Sequence, residues 1–133
     1  MDMTKRIEDL TVELTNVLGV VGTPEENNVV QLVHDKFMEM DYFKENPNNV
    51  KFVDVIDDPV GRKSLMATIN GKKGNDKKTL VFIGHTDTVG ISDYGELKEF
   101  ATKPYELTKK LNEVTISPEA KEDLDSGNYL FGR

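Results

Sequence analysis

The sequence predicts a mixed α/β fold in three layers, with helices packed on a mixed sheet. Three observations predict it. Two amphipathic helical stretches open the chain, three apolar and partly β-branched runs follow between residues 50 and 83, and helical segments return in the last third. That order of elements suits a layered architecture in which helices cover a sheet. At 133 residues the chain is one domain's worth and long enough to bury a core.

The first helix is expected over 5–18, where Ile7, Leu10, Leu14 and Val17 recur at spacings of three and four and form one face. Gly19 follows as a natural terminator, because glycine tolerates positive φ. Thr23-Pro24-Glu25-Glu26 reads as the next helix start. Thr23 caps, Pro24 suits the first helical position, and Glu26 completes a capping box. Helix capping accounts for Glu25 and Glu26 better than paired catalytic carboxylates do. The apolar face continues through Val30, Val33, Phe37 and Met40, with His34 at its edge as a boundary residue, and Asn46-Pro47-Asn48-Asn49 breaks it.

Three strands are expected at 50–56, 64–69 and 79–83. The gaps between them are short enough for hairpins. Asp57 and Asp58, before Pro59, read as turn chemistry. Lys72, Lys73, Lys77 and Lys78 read as a solvated basic hairpin tip. Leu80-Val81-Phe82-Ile83 is continuously apolar, the pattern of a strand covered on both faces. Beyond Gly90 the pattern predicts a short helical turn over 95–101 and a helix begun by Pro104. A capped helix follows from Ser117-Pro118 to Leu124, then a turn at 125–128 and a short strand at 129–131.

Composition narrows the function classes. Hydrophobic residues make up 37% and charged residues 31%, the balance of a soluble globular protein and not of a disordered one. There is no cysteine, which excludes disulfides, thiolate zinc sites and cysteine nucleophiles together. Any metal must therefore sit on histidine and carboxylate. The net charge of -7 repels phosphate backbones and argues against nucleic acid as a partner. No apolar run approaches the length of a membrane helix. The opening Met1 to Arg6 leads into an amphipathic stretch and not a signal core. A cytoplasmic enzyme fits these features, as do many other proteins.

One segment stands apart: Gly84-His85-Thr86-Asp87-Thr88-Val89, directly after the most apolar run. Open α/β folds place ligand sites at the carboxyl ends of strands. A histidine and an aspartate two residues apart in an extended turn can point to one side. Imidazole suits zinc, and a nearby carboxylate fixes the ring's tautomer. On spacing alone the signal is weak, since most His-x-Asp triplets are surface loops or satisfied polar groups. Thr88 reads as shaping the loop and not as a chemical group.

The stretch Val81-Phe82-Ile83-Gly84-His85-Thr86-Asp87-Thr88-Val89 resembles the first metal motif of M20 peptidases and amidohydrolases. The Gly-Thr-Pro-Glu-Glu turn at 22–26 and the closing Gly-Asn-Tyr-Leu-Phe-Gly-Arg at 127–133 are similar to the family's start and to the lead-in of its second motif. The spacer 91–125 resembles an arginine-utilisation subgroup. The resemblance implies that residues 1–133 are the N-terminal part of an M20-type, zinc-peptidase-like catalytic domain, ending before the second metal motif and without the lid domain. It implies that His85 binds one of two metal ions, zinc or else cobalt or manganese, and that Asp87 sits behind the histidine and orients it. The implied reaction is cleavage of a peptide or acyl-amino-acid amide by metal-activated water. The remaining ligands and the general base have no counterpart here, so the isolated chain is expected to hold no stable dimetal centre and to be inactive. A non-catalytic binding module on the same scaffold is the alternative. In either case an exposed sheet edge invites a homo-oligomer.

Overall fold

In the computed structural model, residues 2–74 and 78–132 are described. Lys77, expected in the basic hairpin tip, and Arg133, which closes the lead-in stretch, lie outside them.

Helix α1 (Met3–Thr15) begins at Asp2, whose carboxylate accepts a hydrogen bond from the Thr4 amide at 3.0 Å. It ends at Asn16, earlier than the apolar spacing alone predicts. Gly19 does not stop it through a positive φ, because Gly19 is not among the positive-φ glycines. The glycine is needed for close approach instead: a Cβ built there would lie 2.5 Å from Val29 Cγ2.

Helix α2 (Glu26–Met38) begins three residues beyond the expected cap. The Thr23 hydroxyl donates to the Val20 carbonyl at 2.6 Å, and it is the Thr23 carbonyl that accepts from the Glu26 amide, at 3.3 Å. Glu26 still reaches back, but to the Gly22 amide. The Thr-Pro-Glu-Glu stretch is thus a hydrogen-bonded turn that winds into the helix. Val29 and Val30 of α2 are buried. In the short helix α3 (Asp41–Glu45), Phe43 is enclosed, with its ring edge-on to Phe37 and Tyr42 at 5.2 and 5.1 Å.

A 3₁₀ turn (Pro47–Asn49) leads into β1 (Val50–Asp54), which pairs antiparallel with β2 (Lys63–Ala67). Val50 faces Ala67 and Phe52 faces Leu65. Helix α2 packs against this hairpin, and His34 stacks on Phe52 with ring centroids 4.7 Å apart. His34 is the boundary residue its position at the edge of the apolar face predicts. The Tyr42 hydroxyl accepts from Asn49 Nδ2 at 3.0 Å and from the Asn70 amide at 2.9 Å, tying α3 to the open end of the hairpin. At the other end the Asn27 side-chain amide donates to the Gly61 carbonyl at 3.1 Å and accepts from the Lys63 amide at 2.9 Å.

The molecule is mixed α and β, but the three-layer arrangement on a larger sheet is not what the described residues form. Their sheet has two strands. The expected third strand, 79–83, is not paired in it, and Leu80, Val81, Phe82 and Ile83 are 79, 69, 87 and 93% exposed. An apolar run can be covered on both faces only where neighbouring strands and a second layer exist. The described residues supply neither. The short strand expected at 129–131 is absent too. There the Phe131 amide donates to the Thr108 hydroxyl at 2.9 Å instead of to a strand.

The last third follows its expected helical pattern. A 3₁₀ stretch (Ser92–Phe100) is kinked at Gly95, where φ is 54°. Helix α4 (Pro104–Lys110) opens on its proline. Helix α5 (Pro118–Ser126) is capped by Ser117, which accepts from the Ala120 amide at 3.2 Å, and it ends at Gly127 in the left-handed conformation, φ 68°. Ala101, Leu107 and Leu124 are buried here. Among the described residues no helix is long and apolar enough to cross a membrane.

Candidate metal-ligand loop

The loop that carries His85 is held by the segment between α1 and α2. Val20 and Thr88 form an isolated parallel bridge. The Thr88 amide donates to the Gly19 carbonyl at 3.0 Å, and the Thr88 hydroxyl donates to the same carbonyl at 3.1 Å. In return the Val21 amide donates to the Thr88 carbonyl at 2.9 Å.

His85 and Asp87 are in contact. His85 Nδ1 lies 3.2 Å from Asp87 Oδ1 and 3.3 Å from the Asp87 carbonyl oxygen. The imidazole is 86% exposed and the carboxylate 35%. An Nδ1–H that donates to Asp87 leaves the Nε2 lone pair turned outward, which is the tautomer a metal-binding histidine requires. The contact therefore presents one exposed imidazole nitrogen. It does not set up a closed site. Among the described residues no group of three or more histidine, aspartate or glutamate side chains could hold a metal ion. Zinc takes about four donors, so the donor set of the described residues does not by itself fit one ion, still less two.

Asp58, Glu26 and Asp35 are engaged structurally. Asp58 is enclosed, its side chain 2% exposed, and it accepts twice from the Arg62 guanidinium, Oδ1 from Nη2 at 2.8 Å and Oδ2 from Nε at 3.0 Å. It also accepts from the Arg62 amide at 2.6 Å. The Arg62 side chain first, and then its backbone N–H, pulls the Asp58 carboxyl down to about 2. Glu26 lies 3.6 Å from the same guanidinium. The turn reading of Asp58 thus has a partner that the sequence reading passed over. An arginine four residues on, across Pro59-Val60-Gly61, was the available signal. On α2 the Asp35 carboxyl is held below its ordinary range by hydrogen bonds from His34 and then Gln31.

Over its whole length the chain is 32% identical to the protein RocB of Bacillus subtilis (strain 168), of which it covers 23%. Over 126 residues, 93% of this chain, it is 35% identical to the protein YqjN of the same organism, of which it covers 22%. The chain thus spans less than a quarter of the length of these curated relatives. No protein-family profile matches it, and no solved structure does.

Proposed function

We propose that this chain is the N-terminal part of a metal-dependent hydrolase of the M20 peptidase and amidohydrolase type, acting on peptide or acyl-amino-acid amide bonds. The observation that carries the proposal is the His85–Asp87 contact at 3.2 Å, at the end of an apolar run and inside the motif that resembles the family's first metal site. Similarity over all 133 residues to 23% of RocB supports it. In this reading His85 is a ligand of zinc, or of cobalt or manganese, and Asp87 orients its ring. The spacer 91–125, which resembles that of the arginine-utilisation subgroup, supports that branch.

The single imidazole also fixes what the isolated chain does in this reading. It neither retains two ions nor hydrolyses amides, because the other donors belong to a longer protein. Within that protein 80–83 is a strand of the larger zinc-peptidase-like sheet. The second reading, a non-catalytic binding module, draws on the same exposed run, which would meet a partner instead.

The test uses a longer protein of RocB length that contains these residues, beside the 133-residue chain. Bound metal is measured by elemental analysis, and hydrolysis is followed on N-acyl amino acids and dipeptides. The long form is expected to hold two ions per chain and to lose one of them, with its activity, on His85→Ala. The short chain is expected to do neither. A long form that binds no metal, or whose activity survives His85→Ala, sinks the hydrolase reading and leaves the binding module.

A further inference from the structure

We propose that Gly19 and Thr88 form a clasp that aims the His85 ring, which makes Thr88 a positioning residue of the candidate site. The value of the clasp to a metal site rests on the reading above, but the clasp itself is a property of this chain.

The imidazole is too exposed for packing to orient it, so its direction depends on its bonds to Asp87. Asp87 is in turn joined to Thr88, and Thr88 is the residue of this loop that is tied to the body of the molecule. Three hydrogen bonds do it: two from Thr88 onto the one Gly19 carbonyl, and one from the Val21 amide onto the Thr88 carbonyl. They join segments 69 residues apart in sequence. Both donors of Thr88 converge on one acceptor, so a hydroxyl at position 88 fixes the χ1 angle as well as the backbone.

Gly19 is the other half. The carbonyl that receives both bonds sits where the chain passes against Val29, which is buried in α2. With a Cβ only 2.5 Å from Val29 Cγ2, any other residue forces either the Val29 side chain or the backbone that carries that carbonyl to shift. The line of support runs from the buried face of α2, through Gly19 and Thr88, to Asp87 and the ring. Glycine and threonine are the residue types that such a clasp demands, one for space and one for a second donor.

The experiment reads the tautomer of His85 by long-range ¹H–¹⁵N correlation in the metal-free 133-residue chain. It is done at about pH 8.5. Wild type is compared with Thr88→Val, which keeps shape and removes the hydroxyl, and with Thr88→Ser, which keeps the hydroxyl. His34, bonded to Asp35, is the internal reference. In Thr88→Val the ratio of Nδ1–H to Nε2–H at His85 is expected to fall about fivefold, the worth of one ordinary hydrogen bond. Thr88→Ser is expected to restore it, with His34 unchanged throughout. A Thr88→Val chain that melts earlier but keeps the wild-type ratio at His85 would make the clasp purely structural and overturn the proposal. Should that variant not fold, wild-type hydrogen exchange decides: the Thr88 and Val21 amides must be protected, and rapid exchange at both ends the proposal. No metal enters these measurements, so a failure of the hydrolase reading in the longer protein leaves their outcome untouched.

Discussion

At the scale of single residues, the most strongly perturbed group is Asp58, and its position makes it a pH sensor of hairpin stability. Its carboxyl is lowered from 3.8 to about 2, chiefly by the Arg62 side chain. A depressed folded-state value means the unfolded chain binds the proton more tightly. The stabilisation is therefore fully present above about pH 4 and is lost as pH falls toward 2. Asp58→Asn is expected to melt below wild type at neutral pH, with the gap closing between those two values. A gap that stays constant down to pH 2 would show that the pair contributes shape and no charge linkage. The residue scale also shows where a sequence is mute. Asp57-Asp58-Pro59 announces a turn by its composition, whereas the guanidinium that closes it is set by how the turn folds back. His85 and Asp87 were legible together because their contact is local, two residues apart in one loop. Gly19 was legible as a glycine that matters, but for the wrong reason. Its neighbour Val29 comes from the next helix, and spacing along the chain carries no sign of it.

At the scale of elements, local signals were read well where the element decides its own fate. Helix α5 has its cap and its first-turn proline side by side, and both act as the sequence implies, while the helix runs two residues past its expected end at Leu124 and is closed by Gly127 in the left-handed conformation. It buries little beyond Leu124, so the cap carries an unusual share of its stability. Ser117→Ala is expected to cost about 1 kcal/mol. Site-resolved hydrogen exchange would show the loss as faster exchange over 118–126, with α2 unaffected. Equal exchange in both proteins would mean that packing of Leu124 alone holds the helix. Strands behave otherwise. The hairpin of β1 and β2 forms because each strand finds its partner within the same short stretch. The run 79–83 has the stronger strand composition of any in the chain and yet forms none, because a strand is half of a pair and its partner is not among the described residues.

That unpartnered run governs the behaviour of the whole molecule. Four consecutive apolar side chains, Leu80 to Ile83, stand in solvent. β2 also has an open edge. The bonds from the Val55 amide to the Arg62 carbonyl and from the Thr68 amide to the Asn49 carbonyl place residues 62, 64, 66 and 68 toward β1. Lys63, Leu65 and Ala67 therefore turn their backbone groups outward. Asn27 occupies that edge only at Gly61 and Lys63, which leaves the stretch from Leu65 onward open to another strand. An uncharged, β-favouring run in solvent and an open strand edge are both features that invite association. The 133-residue chain is expected to sediment as concentration-dependent oligomers across the micromolar to millimolar range. Phe82→Lys, which places a charge in the middle of the run, is expected to return it to monomer. The same substitution separates the two accounts of why the run exists. In a longer hydrolase, where 80–83 is an inner strand, a buried lysine without a partner should leave the protein insoluble or unfolded. If the run instead meets a separate partner, the longer protein should fold normally with Phe82→Lys and lose only that association. One substitution in two lengths of protein thus tells whether the exposed run is an interior surface awaiting the rest of its own sheet or an interface in its own right.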